Sequence, residues 1–433
     1  MFYSMGLKNS KLLKNKGKRL LPALSQTFSK SPSSFVEGIF PVYAKKAKGQ
    51  YLYDVDGNKY LDYLMALGPI VLGYNYPSVK SAIQKQLKSG PIFSLPHTLE
   101  VETAELLKSC IPCAEMTRFT KTGSDAVTGV VRAARAITKK DIILYCGSGG
   151  VWDDWFSIAS SRNYGIPKFN KKLIKFFQYN NLKSLEDLFE KYKGKIAAVV
   201  MEPTVLEKPE KNFLKNVKKI THENNSLLIF DEILTGFRLS LGGGQEFFNV
   251  VPDMATFAKG IANGMPLGAI VGKKETMKIF DKVFVSTTYG GEALSLAACN
   301  ATITTFKEKK VIPHMWKMSS LLKNGFNKIT KEIDLDAQCL GYYPRLKLIL
   351  KDNSGNDSLL YKSLFLQTLI ENDIFMHPNT VLLSYSHSKA NITYTLKIIE
   401  ESLHILKKAI KNNNVRSKLK GNVAKQVIRI YEK

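Results

Sequence analysis

The run Leu227-Leu228-Ile229-Phe230 is apolar at every position and stops abruptly at Asp231-Glu232. A strand with one wet face alternates apolar and polar residues, whereas an unbroken apolar run is buried on both sides, as in a parallel sheet covered by helices. A chain built on such a strand must supply helical crossovers, and from about Pro77 to Leu294 the pattern alternates in that way. Candidate strands are Met116–Phe119, Ile142–Tyr145, Ala197–Met201, Leu227–Phe230, Ala255–Ala258 and Ala269–Gly272. Candidate helices between them include Ser124–Ile137, Ser184–Lys193 and Leu214–Asn224. The expected fold is α/β: a mostly parallel sheet in a large domain, with ligands beyond the carboxyl ends of its strands.

The flanks read differently. Tyr51–Tyr63 reads as two strands joined by a turn at Asp56-Gly57-Asn58. A long helix begins after about Glu292, and the remainder reads as a smaller α+β unit. Its last helix is marked by Ser388 as N-cap, then Ile392, Leu396, Ile399, Leu403, Leu406 and Ile410 at helical spacing. The expected division is 1–80, an N-terminal helix and strands that contribute to the small domain; 81–294, the large domain; and 295–433, the C-terminal small domain. A chain of 433 residues suits two packed domains.

Composition narrows the class. No apolar stretch approaches the roughly 18 residues that span a bilayer, so no membrane partner is expected. The five cysteines are odd in number, which fits a reducing compartment, and the expected location is cytoplasmic. Cys110-x-x-Cys113 lacks a second pair to complete a zinc site, so no metal is expected. The net charge of +26 raises the question of nucleic acid. Its lysines are spread singly along helical faces and are densest at both ends, without a nucleic-acid fold signature, so a solvated basic surface is the favoured reading. Attraction for anionic, phosphorylated substrates is a modest benefit of that surface. The N-terminus lacks the apolar core and cleavage site of a secretory signal and is expected to stay attached.

Five clusters carry chemistry. Lys121-Thr122-Gly123-Ser124-Asp125 stands between a strand and a helix, where free backbone N–H groups cradle an anion. Glu202-Pro203 follows a buried strand. Asp231 ends the central run, and Lys259 ends the apolar run Met254-Ala255-Thr256-Phe257-Ala258. Ser286-Thr287-Thr288-Tyr289-Gly290-Gly291 precedes the long helix. A lysine after a strand is usually solvated and a terminal Asp is usually a cap. Together, an acid and a lysine so placed meet the needs of pyridoxal 5′-phosphate (PLP): the lysine forms a Schiff base, and the acid keeps the pyridine nitrogen protonated.

In order and spacing these clusters resemble the class III PLP-dependent aminotransferases, nearest to the glutamate-1-semialdehyde 2,1-aminomutase-like branch, over nearly the whole chain. Tyr51–Tyr63 and Leu67-Gly68-Pro69-Ile70-Val71-Leu72-Gly73-Tyr74 resemble that branch's N-terminal signature. The resemblance implies the PLP-dependent transferase fold type I. It makes Lys259 the Schiff-base lysine and proton shuttle, Asp231 the pyridinium partner, and Ile233 an apolar residue against one ring face. Gly123 and Ser124 become the phosphate cradle. Thr288 becomes a threonine that reaches the phosphate of a neighbouring subunit, which implies a homodimer with shared sites. Glu202 becomes an acid near the cofactor.

Two departures stand out. Where the family has Tyr-His-Gly and a ring stacked on PLP, this chain reads Cys146-Gly147-Ser148-Gly149-Gly150-Val151-Trp152 with a one-residue insertion. Either Trp152 folds back to replace the ring or the face is left to glycine backbone. Further on, Thr287-Thr288-Tyr289-Gly290-Gly291-Glu292-Ala293 replaces the Gly-Thr-Leu-Ser-Gly-Asn-Pro of strict aminomutases. The segment from His377 to Ser388 lacks the arginine that clamps a carboxylate in many ω-aminotransferases; His377 and His387 are candidates to face substrate there. The expected function is amino transfer from a small-molecule donor, such as glutamate, to a carbonyl acceptor such as a sugar aldehyde or keto-sugar. Intramolecular transfer by a glutamate-1-semialdehyde aminomutase and a catalytically weak PLP-fold binding protein are the alternatives.

Overall fold

A computed structural model describes residues 6–342 and 344–426. Its strands, in chain order, are β1 Ala44–Lys48, β2 Tyr51–Asp54, β3 Lys59–Asp62, β4 Met116–Thr120, β5 Ile142–Cys146, β6 Ile174–Phe176, β7 Ile196–Met201, β8 Leu227–Asp231, β9 Met254–Phe257, β10 Gly268–Gly272, β11 Ala337–Leu340, β12 Arg345–Leu350, β13 Ile374–Phe375 and β14 Val381–Leu382. They fall into two compact units. One spans residues 77–312; the other joins residues up to Tyr76 with those from Pro313 onward. The pattern-based boundary at 294 falls inside the helix Ala293–Glu308, which continues into the larger unit.

The larger unit carries a seven-stranded sheet in the order β4-β10-β9-β8-β7-β5-β6. Strands β6, β5, β7, β8 and β9 run parallel, and β10 is antiparallel to both β9 and β4. The apolar run that implied a central strand is β8, fourth of the seven. Leu228, Ile229 and Phe230 are wholly buried, as both-face coverage requires. β6 is the strand that the pattern missed; at three residues, Ile-Lys-Phe, it is too short to show a period.

Helix Gly123–Thr138 packs on one face of this sheet. Its Val127, Val130, Val131 and Ala134 join Ile143, Tyr145, Ala198, Val200, Ile229 and Ile270 in one core. The helix begins where it does because Thr122 caps it. The Thr122 hydroxyl accepts from the Asp125 N–H (3.1 Å), and the Asp125 carboxylate accepts from the Thr122 N–H (2.8 Å). That reciprocal pair satisfies donors a helix start otherwise leaves open.

In the smaller unit, β1-β2-β3-β13 form one sheet and β11-β12-β14 another. The Asp56-Gly57-Asn58 turn joins β2 to β3, with Gly57 at φ +93°, a conformation natural to glycine. The last helix, Lys389–Lys411, is capped by Ser388, whose hydroxyl accepts from the Asn391 N–H. No helix among the described residues is long and apolar enough to cross a membrane.

Both candidate substrate histidines are buried in this unit. His377 Nδ1 accepts from the Asn379 N–H (3.1 Å), and its ring meets Phe35 edge-on. His387 Nδ1 accepts from the Ser384 N–H (3.1 Å), while Nε2 lies 3.1 Å from the Asp62 carbonyl. These local bonds explain their presence without a substrate. Burial pushes both down to about 4. A histidine whose folded pKa lies below its unfolded value binds its proton more tightly when unfolded, so its stabilisation is full at neutral pH and drains away on acidification. Thermal stability should therefore fall as pH drops from about 6.5 to 4. His387→Gln, which cannot titrate, should flatten that fall; an unchanged curve from melts across the range would contradict the assignment.

Candidate active site

Residues at period two share a face of a strand. Val200 and Ile229 point into the core beside helix Gly123–Thr138. Two residues further along each chain segment stand Glu202 and Asp231, which leave the same face at the carboxyl end of the sheet. Phe230 pairs with Met201, so β7 and β8 end side by side. Both acids are buried. Burial first, and the Glu202 charge second, push the Asp231 carboxyl up to about 7. Opposing these, Asp231 Oδ1 accepts from the Ile233 N–H (3.1 Å), and Lys259 lends positive charge.

Lys259 arrives from the next strand. β9 lies beside β8, with Thr256 opposite Asp231, and the chain turns after Phe257. Lys259 sits at φ +44°, in the left-handed region that side-chain-bearing residues rarely occupy. Such backbone strain persists where surrounding structure over-determines it, typically at functional positions. Asp231 and Lys259 thus meet at the strand ends, where α/β sheets bind their ligands.

The third component is the start of helix Gly123–Thr138. A Cβ on Gly123 would lie 2.4 Å from Ile233 Cδ1, so the Ile233 side chain occupies the room that glycine leaves. Gly123 and Ser124, the two sequence-derived cradle residues, are thereby held beside the segment that follows Asp231. The Ser124 hydroxyl accepts from the Trp152 N–H (3.3 Å).

Trp152 makes that contact through its backbone and not its ring, which corrects one expectation. The Trp152 ring is 71% exposed and does not fold back to cover the site. The face is left to a glycine-rich turn, with Gly147, Gly149 and Gly150 all at positive φ. Trp155, three residues on, is the buried indole; its Nε1–H donates to Thr128 Oγ1 (3.0 Å).

Three site features escaped sequence reasoning. Ser148 stands in the turn and donates both its N–H and its hydroxyl to Glu202 Oε1, each at 2.6 Å. Tyr145 is wholly buried, and its hydroxyl finds no hydrogen bond of ordinary length. The alternation with Ile143 would have placed it on the site's face. Glu232, the second acid after β8, turns away to accept from the Gly244 N–H (2.8 Å), the Gln245 N–H (2.9 Å) and the Thr235 hydroxyl. It anchors a loop, whereas Asp231 stays at the end of β8 near Glu202 and Lys259. Thr288 stands exposed in the run Ser286–Tyr289, unlike the buried residues above.

These residues fit PLP. Asp231 is a buried acid beside a second acid, where a protonated ring nitrogen would supply the missing cation. The start of a capped helix offers N–H groups to a phosphate. Gly123 brings the helix start against Ile233, whose Cδ1 any larger residue would have to displace.

Residues 34–338 match the family profile of the class-III aminotransferases. The chain belongs to this family. It is 34% identical to the 3-aminobutyryl-CoA aminotransferase of Cloacimonas acidaminovorans over 424 residues, which cover 95% of this chain and all of that protein. It is also 34% identical to the glutamate-1-semialdehyde 2,1-aminomutase of Archaeoglobus fulgidus over 395 residues, 84% of this chain and 93% of that one. Among solved structures, an omega-transaminase from Sphaerobacter thermophilus superposes with a TM-score of 0.83 at 23% identity, covering 92% of this chain and 98% of that one. A glutamate-1-semialdehyde aminomutase from Pseudomonas aeruginosa gives 0.81 at 19%, covering 92% and 94%. The enzyme has the type I fold of PLP-dependent transferases and uses pyridoxal 5′-phosphate.

The packing of Gly123 on Ile233 gives a test. Gly123→Ala should weaken cofactor binding by about ten- to hundredfold, the equivalent of roughly 1–3 kcal/mol of overpacking. Pairing it with Ile233→Val, which removes the Cδ1 that a Gly123 Cβ would meet, should restore much of the loss. Fluorescence titration with PLP reads both, and equal affinities in wild type and Gly123→Ala would refute the contact.

Proposed function

We propose that the enzyme moves an amino group from a small-molecule donor to a separate carbonyl acceptor, with Lys259 as the residue that carries the cofactor and the proton. Bound here, PLP supplies the electron sink that makes a proton on the amino-bearing carbon removable. The Lys259 amine, when free, would be the base that takes that proton and returns it at the neighbouring position. The Asp231 carboxylate would partner a protonated ring nitrogen, Ile233 would lie against the ring, and the N–H groups of Gly123 and Ser124 would hold the phosphate. The meeting of a buried, cation-seeking Asp231 with a strained Lys259 at the strand ends carries this reading.

Intramolecular transfer, as in a glutamate-1-semialdehyde aminomutase, uses the same residues. The Archaeoglobus relative favours it as strongly as the Cloacimonas relative favours transfer between molecules, since each is 34% identical. The replacement of the strict aminomutase motif by Thr287–Ala293 inclines us to transfer between molecules. Oxidised sugars, acyl-thioester carbonyl compounds and amino aldehydes are the acceptors to screen.

Thr288 is assigned to the phosphate of a partner's site, in a homodimer. Support comes from the apolar side chains left open on the larger unit: Phe284 is 81% exposed, Leu95 79% and Tyr289 58%. Large apolar side chains left this exposed favour coverage by a partner over contact with water.

Two measurements test these assignments. The purified protein should show the visible absorption of lysine-linked PLP, lost in Lys259→Ala, and an amino donor alone should bleach it stoichiometrically. A wild-type protein that PLP cannot colour, or one that no amine bleaches, would refute catalysis and promote the binding-protein alternative. Sedimentation should report twice the chain mass, and Thr288→Ala should weaken PLP without changing that mass; a monomer would remove the shared-site assignment.

A further inference from the structure

Glu202 and Ser148 form a contact that the transfer reaction, as derived above, does not use. Both donors of Ser148 converge on one oxygen, Glu202 Oε1. The turn that permits it has little slack. A Cβ on Gly147 would lie 3.0 Å from that oxygen, 3.1 Å from Glu202 Cγ and 3.2 Å from the Tyr145 hydroxyl, and Gly147 sits at φ +154°. Gly149 is as constrained, since its Cβ would meet Phe156 at 2.3 Å. The Glu202 N–H meanwhile donates to the Cys146 carbonyl (3.0 Å), so both ends of this residue are tied to the exit of β5. Ser148 stands in the segment where the sequence departs from the family's aromatic ring.

We infer that Ser148 is a positioning residue: it fixes the Glu202 carboxylate beside Asp231, so that a polar tether occupies the place of the missing ring and sets the charge which the cofactor's ring edge meets. The inference rests on the reading of Asp231 as the ring-nitrogen partner. Four titratable groups act on Asp231: Glu202 beyond β7, Tyr145 from β5, Lys259 beyond β9 and, from the next position in the chain, Glu232, whose carboxylate turns away. Glu232 is occupied by Gly244, Gln245 and Thr235. Tyr145, buried and beside acids, stays neutral across the useful range. Lys259 opposes Glu202, which leaves Glu202 as the nearby charge that raises the proton affinity of Asp231 most.

The sign follows. An acid whose folded pKa is raised favours the folded state at low pH, and that advantage is lost as pH climbs through the folded value. For Asp231 the loss runs from about 4 to about 7. Loosening Glu202, or neutralising it, reduces the negative field at Asp231 and moves the end of that window down. Ser148→Ala does the first and Glu202→Gln the second.

The experiment is a set of melting curves from pH 4 to 9 on the full chain without added cofactor. Each background is compared with its own Asp231→Asn version, so that only the Asp231 titration remains. Ser148→Ala should lower the midpoint by on the order of one pH unit. Glu202→Gln should lower it at least as far, Ser148→Ala on top of Glu202→Gln should add nothing, and Ser148→Thr should behave as wild type. A uniform drop in melting temperature with no midpoint shift, or additive effects of the two substitutions, would overturn the inference and leave Ser148 a structural turn residue. The pH profile of PLP affinity, read by fluorescence with the cofactor present, should shift in the same direction. A clear midpoint shift in a protein that never binds PLP would uphold the Ser148–Glu202 tether while refuting the cofactor assignment.

Discussion

The site depends on a carboxylate held where carboxylates are costly. Asp231 is buried at the end of a strand that is apolar throughout, beside a second buried acid. An isolated charge in such a place costs several kcal/mol unless a partner or a proton neutralises it. Lys259 lends positive charge to Asp231; on the proposed reading Lys259 would hold the cofactor, and a protonated ring nitrogen would neutralise Asp231 in its place. The parallel sheet, the capped helix Gly123–Thr138 and the strained turn at Lys259 bring these charges to one place.

The packing around the acid is as demanding as its electrostatics. Gly123 packs directly on Ile233, whose Cδ1 a methyl group there would have to displace, and this sets the helix start against the segment after β8. The helix start is stabilised by the Thr122–Asp125 exchange, so its remaining N–H groups can face an anion without the helix fraying. Glu232 resembles a catalytic acid in sequence, yet it works as scaffolding by holding the Gly244 turn through backbone donors. Neighbouring acids take opposite roles because successive side chains of a strand face opposite ways.

Most of the large sheet was legible because its strands are long, apolar and separated by amphipathic helices. The order of Asp231, Lys259 and Gly123-Ser124 was legible for the same reason: each sits where an element begins or ends. What was not legible depended on distances across the sequence. Trp152 offered an aromatic near a missing aromatic, but three positive-φ glycines carry the backbone past the site and leave the ring in solvent. Ser148 showed no periodicity and no motif, and its partner lies 54 residues away. The two histidines were candidates to face a substrate from a strand-to-helix segment, but burial and local N–H donors account for them. The short strand β6 was invisible to a pattern of period two.

A site assembled from buried like charges links cofactor binding to folding. Without a cation at its ring-nitrogen position, the larger unit keeps Asp231 neutral by protonation or bears the cost of its charge. With one, the same burial that penalised the carboxylate strengthens its attraction for the cation, because low polarity magnifies both terms. Any ligand that binds only the folded state stabilises it in proportion to its affinity. With Asp231 as the ring-nitrogen partner, the affinity would itself grow from relieving the repulsion between Glu202 and Asp231. Removing Glu202 would therefore make the cofactor-free protein sturdier while weakening its hold on PLP. A site tuned for stability alone would have discarded this acid, whereas here the Ser148 N–H and hydroxyl hold it in place.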